Sequence, residues 1–184
     1  MSAIVRITAE SSLATLSVNV WHYRITNASP VTEVSEAIDQ LDTFYTAIAG
    51  VLQVQTFTIG SRCVTEDQNP NLIINGAPET ATMTGSGGEV LTACAVLTLS
   101  SGIVGGAHRG RKYFGPLDGS AVQSDGRSLN ATDRSTINAA AGALLTPTAS
   151  GSVMGIWSRK NQSFTVCTGV STQALIGTQR RRLS

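Results

Sequence analysis

The chain reads as an α+β fold: a mostly antiparallel sheet with two packed helices and a terminal hairpin. Three observations carry that reading. Strand-like runs recur along the 184 residues, and several are joined only by short turns. Two stretches alone carry helical periodicity. The last two apolar runs are separated by nothing more than the polar turn Arg159-Lys160-Asn161-Gln162. A jelly roll is the alternative, since its first half also intersperses strands with a helix, but too few strands follow the second helix to complete one.

Residues Ala3 to Ile25 read as two strands with a turn near Glu10-Ser11-Ser12. Along the second strand Leu16, Val18 and Val20 alternate with Ser17 and Asn19, which predicts an apolar and a polar face. Trp21, Tyr23 and Ile25 then make the opposite face apolar, as at a bulge or a two-sided contact. The first helix follows, with Val34, Ile38, Leu41, Tyr45, Ile48 and Leu52 at alternating steps of four and three. Thr32 is its expected N-cap, Glu33 and Glu36 suit the positive end of the helix dipole, and Gly50 is its expected left-handed stop.

Strand returns over Val54 to Thr65, with Phe57 and Ile59 on one face. From Glu66 to Glu89 the pattern dissolves into Asn69-Pro70, Asn75-Gly76 and Gly85-Ser86-Gly87-Gly88, a long loop of the kind that reaches a partner. The apolar run from Val90 to Leu99 is the expected central strand, covered on both faces. A basic, glycine-rich stretch from Gly105 leads into an aromatic strand ending Tyr113-Phe114. Asn130 to Leu145 is the second helix, capped by Asn130 with Asp133 three residues on, facing Ile137, Ala141 and Leu144 inward, and closed by Pro147. Val153 to Trp157 then pairs with Phe164 to Thr168. No linker divides the chain: residues 1–178 read as one structural domain and 179–184 as a short basic tail.

Charged residues make up 14% of the chain, against about 25% in ordinary soluble domains, while Ser and Thr are abundant. A surface of hydroxyls and amides costs less to desolvate than one of charges, so it suits coverage by neighbouring copies. The net charge of +1 supplies no overall field for nucleic acid. No apolar run is long enough for a membrane span and no secretory leader opens the chain, which predicts a protein made in the cytoplasm without a membrane partner. Cys63, Cys94 and Cys167 are odd in number and widely spaced, so buried thiols are expected rather than disulfides or a metal site.

The residues that chemistry would need are sparse. His22 lies between Trp21 and Tyr23, as a packed imidazole would, and His108 lies in the basic loop. Neither has a nucleophile or acid at a diagnostic spacing. Glu66, Asp67, Glu79 and Glu89 form no paired-acid or calcium-loop pattern. The glycine run at 85–88 precedes a strand, whereas a phosphate cradle should follow one and open a helix. The reading is therefore no catalytic residue, no metal, no cofactor and no small-molecule substrate. The strongest electrostatic feature is His108, Arg109, Arg111 and Lys112, followed by Tyr113; Arg180, Arg181 and Arg182 form a second basic element. Both are candidates for contact with another subunit or with nucleic acid.

The strand ending Val20-Trp21-His22-Tyr23, the helix from Glu36 to Leu52, the strand from Cys94 to Leu99 leading into Arg109-Gly110-Arg111-Lys112-Tyr113-Phe114, and the end Gln179-Arg180-Arg181-Arg182-Leu183 together make the chain resemble small structural proteins of viruses and phages known mainly from environmental sequences. The likeness spans most of the chain, with the Arg-Gly-Arg-x-Tyr element and the Arg-rich end as its specific parts. It implies a virion component without fixing which part; with the composition, the leading expectation is a non-enzymatic capsid or coat protein that self-assembles into the virion as a homo-oligomer, its basic loop and tail placed at subunit contacts ahead of contact with the viral genome. A phage tail or neck ring protein is the alternative within that class. A nucleic-acid-binding module using residues 108–112 and the terminal arginines is the alternative outside it. The long basic N-terminal arm of many RNA-virus coats is missing from this sequence.

Overall fold

The computed structural model describes residues 2–11, 18–26, 28–52, 57–61, 63–64, 73–74, 94–101, 109–115, 117, 129–158 and 163–175. The strands are β1 (Ala3–Ser11), β2 (Val18–Ile25), β3 (Phe57–Ser61), β4 (Cys63–Val64), β5 (Ile73–Ile74), β6 (Cys94–Ser100), β7 (Arg109–Phe114), β8 (Val153–Ser158), β9 (Ser163–Val166) and β10 (Gly169–Leu175). The helices are α1 (Pro30–Ile48) and α2 (Ala131–Ala143), and a 3-10 turn, Ala49–Val51, follows α1. One sheet has the order β3-β1-β2-β8-β9, a second has the order β10-β6-β7, and β4 pairs with β5. Every pairing is antiparallel. The chain is an α+β fold. Its helices pack on each other, α1 against β2 and β3 and α2 against β10, so a helical layer stands where a jelly roll would place a facing sheet. Among the described residues no helix is long and apolar enough to cross a membrane.

Alternation builds the first sheet. Along β1, Val5, Ile7 and Ala9 are fully buried, while Arg6 and Thr8 on the other face are half-buried. The partner β2 buries Asn19, Trp21, Tyr23 and Ile25. The register runs unbroken from Ala3 opposite Ile25 to Glu10 opposite Val18, so no bulge re-aims the strand. The sequence pattern put Asn19 on a polar face; it lies instead on the buried one, and the apolar pattern changes face because Val20 flanks the core rather than entering it.

The core closes on four rings. Trp21, Phe44, Tyr45 and Phe114 come from β2, α1 and β7, with centroids 5.2 Å apart for Phe44–Tyr45 and 5.6 Å for Trp21–Phe44, both edge-to-face. This is the arrangement that aromatic quadrupoles favour. Phe44 sits in the stripe that the sequence drew through Leu41, Tyr45 and Ile48, and all four are buried.

The helix ends differ in how well the sequence anticipated them. Asn130 caps α2, its side chain accepting from the Asp133 amide at 2.8 Å, and Ile137, Ala141 and Leu144 face inward as expected. At α1 the expected Thr32 cap gives way to Ser29, with Pro30 at the first helical position, where a missing N–H costs nothing. Gly50 adopts no left-handed stop, because the chain tightens into the 3-10 turn instead. The positive-φ glycine is Gly151, at +87°, in a turn where Thr148 accepts from the Gly151 amide and donates to Ser152.

The hairpin β8–β9 forms as read, but it is not the end of the fold. Cys167 still donates its amide to Met154 of the first sheet, and Thr168 donates to Ser100 of the second. The chain thus steps from one sheet to the other and continues as β10, an element absent from the sequence reading. The residue that lets the hairpin close is Gly155. A Cβ there would stand 2.3 Å from Phe164 Cζ and 2.5 Å from the Thr165 carbonyl oxygen, and the second of these is backbone. Gly155→Ala is expected to cost about 2 kcal/mol. Urea unfolding of the variant checks it, and an unchanged midpoint would contradict the packing.

Candidate functional site

The basic strand β7 is an edge whose two faces do different things. Lys112 pairs across β6 with Leu97 and Phe114 with Ala95, both partners fully buried, so Gly110, Lys112 and Phe114 share the inner face. Arg111 and Tyr113 alternate outward, opposite Thr98 and Val96, with Ser171 of β10 next across from Thr98. Arg111 is exposed and Tyr113 half-buried.

The free edge of β7 is closed by side chains. Asn19 donates its amide nitrogen to the Tyr113 carbonyl at 2.9 Å and accepts from the Tyr113 amide at 3.3 Å, a side-chain copy of a ladder pair. Lys112 donates its ammonium to the Val20 carbonyl and lies 5.3 Å from the centre of the Trp21 ring. Burial lowers its pKa to about 8, against an opposing pull from Cys167. Desolvation pushes the Cys167 thiol up to about 11, with the nearby Lys112 acting in the other direction. Behind them Trp21 Nε1 donates to the Tyr45 hydroxyl at 3.3 Å, and Tyr23 donates to Gln40 Oε1 at 3.1 Å. Burial raises both phenols far above their ordinary range. The Lys112 cluster is a joint between sheets, tying β7 to β2 through the Val20 carbonyl and the Trp21 ring.

Of the residues singled out from sequence, Arg111 and Tyr113 have described side chains facing outward, and Lys112 faces in. Arg109 has a described backbone only, and His108, Arg180, Arg181 and Arg182 lie outside the described residues, as does the stretch 66–89 expected to be a long loop, apart from Ile73–Ile74, which form a strand there and correct that expectation. Cys167 is a buried free thiol. Among the described residues no three metal-ligating side chains come together. A shallow hollow on α2, lined by Ala131, Thr132, Ser135, Thr136 and Ala139, contains no titratable group.

A second basic surface was missed. On the face of the five-stranded sheet opposite α1, Arg6 stands across from His22 and Arg24 across from both Ile4 and Val153. The Arg24 guanidinium lies 5.6 Å from the centre of the Phe164 ring, and Phe164 pairs with Trp157. The signal was available in the parity of the strands: Arg6, His22 and Arg24 occupy the positions between the buried ones. In comparisons with protein-family models, curated proteins and solved structures, nothing matches this chain.

Proposed function

We propose that the protein is a non-catalytic structural protein that assembles with copies of itself into the shell of a virus particle. The observation that carries this reading is the outer face of β10-β6-β7. There Arg111 and Tyr113 project beside Thr98 and Ser171, a neutral hydroxyl surface with an exposed guanidinium and a half-buried phenol. Tyr and Arg are the residues that dominate protein–protein contacts, and hydroxyls around them desolvate cheaply. The 14% charged fraction extends the same character to the whole chain.

Light scattering of purified protein at rising concentration, followed by negative-stain microscopy, tests the reading. Closed shells are expected. The double variant Arg111→Ala with Tyr113→Ala should remain small at concentrations where the wild type assembles, because losing a central anchor costs about 2 kcal/mol or more per contact. A wild type that stays monomeric at all concentrations and ionic strengths would defeat the proposal. Rings or tubes would point to a tail or neck component instead.

A further inference from the structure

We infer that the outer face of the five-stranded sheet, at the end that carries β8 and β9, binds single-stranded nucleic acid, with Trp157 and Phe164 as stacking surfaces and Arg24 as the phosphate contact. This goes beyond the assembly reading and stands without it. It also uses a surface distinct from the outer face of β7.

Several features of this face point to that ligand. Trp157 and Phe164 are half-buried neighbours on the hairpin β8–β9, presenting rings on the face away from the core. Phe164 lies flat there because Gly155 beneath it has no side chain to lift it. The ring extends to Arg24, whose exposed guanidinium is held over it, so the planar donor fork is presented outward at little further entropic cost. One position across and two along, the half-buried Arg6 adds a second positive charge to the same face. His22 lies between the two arginines in the register. The described acid on this face is Glu10, at the far end of β1 opposite Val18, which directs a polyanion toward the Arg24 and Trp157 side.

The alternation of cation and aromatic ring selects among occupants. A duplex would present phosphates without bases to stack, whereas a single strand offers both, and base–aromatic stacking is tolerant of sequence. The sheet is also the platform geometry on which unpaired bases lie flat on strand-borne rings.

The test uses the full chain and a fluorescein-labelled oligouridylate of about 20 nucleotides, read by anisotropy across a salt series and by tryptophan emission. Binding is expected at low salt. It should quench Trp157, one of the chain's two tryptophans, the other being the buried Trp21. Arg24→Ala should weaken binding about tenfold and make the log–log salt slope shallower by about 0.7. Trp157→Ala should weaken it about tenfold, Trp157→Phe much less while abolishing the quench, and Arg134→Ala, which removes an exposed cation on α2, should bind as wild type. Circular dichroism accompanies each variant, and Trp157→Phe keeps the question answerable if Trp157→Ala unfolds. No binding at low salt, equal binding by Arg24→Ala, or loss on Arg134→Ala alone would overturn the inference. So would tryptophan emission that follows protein concentration rather than oligonucleotide, because the face would then hold a second copy. Shell formation by microscopy is a separate readout, so failure of either proposal leaves the other standing or falling by itself.

Discussion

Glu33→Ala is expected to destabilise the fold by about 3 kcal/mol, lowering the melting temperature by roughly 6–12 °C for a chain of this size. The sequence reading gave Glu33 a modest role at the positive end of a helix dipole. Its carboxylate is instead buried, 1% exposed, and organises the whole turn that brings β2 into α1. One oxygen accepts from the Thr26 amide at 2.5 Å; the other accepts from the Thr26 hydroxyl at 2.8 Å, the Ala28 amide at 2.9 Å and the Ser29 amide at 3.0 Å. Charge-assisted bonds of this kind are roughly twice as strong as neutral ones. Because Thr26, Ala28 and Ser29 are exposed, water can recover part of the loss, which keeps the figure below the sum of the separate bonds.

Glu33→Gln is nearly isosteric, but its NH2 group would meet backbone donors where an acceptor is needed, so it should recover less than half of the loss. Thermal melts of the three proteins check this. A Glu33→Ala protein melting within a degree of wild type would mean that the turn is organised by something else.

What was legible in the sequence follows from how far a residue's role depends on its neighbours in the chain. Asn130 with Asp133 is a local arrangement, and it folds as read, as do the inward faces of both helices and the hairpin β8–β9. β6 is the middle strand of its sheet, as its apolar run suggested, but Ala95, Leu97 and Leu99 are buried on one face while Thr98 on the other is half-buried, so the expected cover on both faces is incomplete. Asn19 defeated the reading because its partner, the backbone of Tyr113, lies far away in sequence. A polar residue at a buried position looks like a change of face until that partner is known. Lys112 misled for the same reason: within the chain it belongs to a basic cluster, and in space it belongs to Trp21 and Val20. β10 was missed because Gly169–Leu175 mixes polar and small residues, and its place is set by pairing along the whole of β6.

The alkaline stability profile should expose the Lys112 joint directly. A lysine whose folded pKa is about 8, against an ordinary 10.5, is penalised in its charged form by the fold. Over that interval the unfolded chain binds the proton that the folded chain has released, so stability rises with pH, by up to about 1.4 kcal/mol per unit. The thiol of Cys167 acts oppositely. Its folded pKa of about 11 exceeds the ordinary 9.0, so from pH 9 upward the unfolded chain loses a proton that the folded chain keeps, and the rise is cancelled. Beyond pH 10 the buried phenols of Tyr23 and Tyr45 add the same sign twice, and stability falls by up to about 3 kcal/mol per unit.

The expected profile is therefore a rise from pH 8 to 9, a plateau to 10, and a steep loss beyond. Lys112→Met removes the rising limb and leaves the falling one. At pH 7 the variant should be more stable than wild type by about 1–2 kcal/mol. Relief of a charge penalty of roughly 3 kcal/mol is offset by the lost bond to Val20 and the lost contact with the Trp21 ring. Denaturant titrations of both proteins across pH 7 to 11 measure this. Profiles that run parallel throughout would place Lys112 in solvent, where it would rejoin Arg111 and Tyr113 as a surface contact. A rise confined to the wild type assigns it to the joint that holds the second sheet on the first.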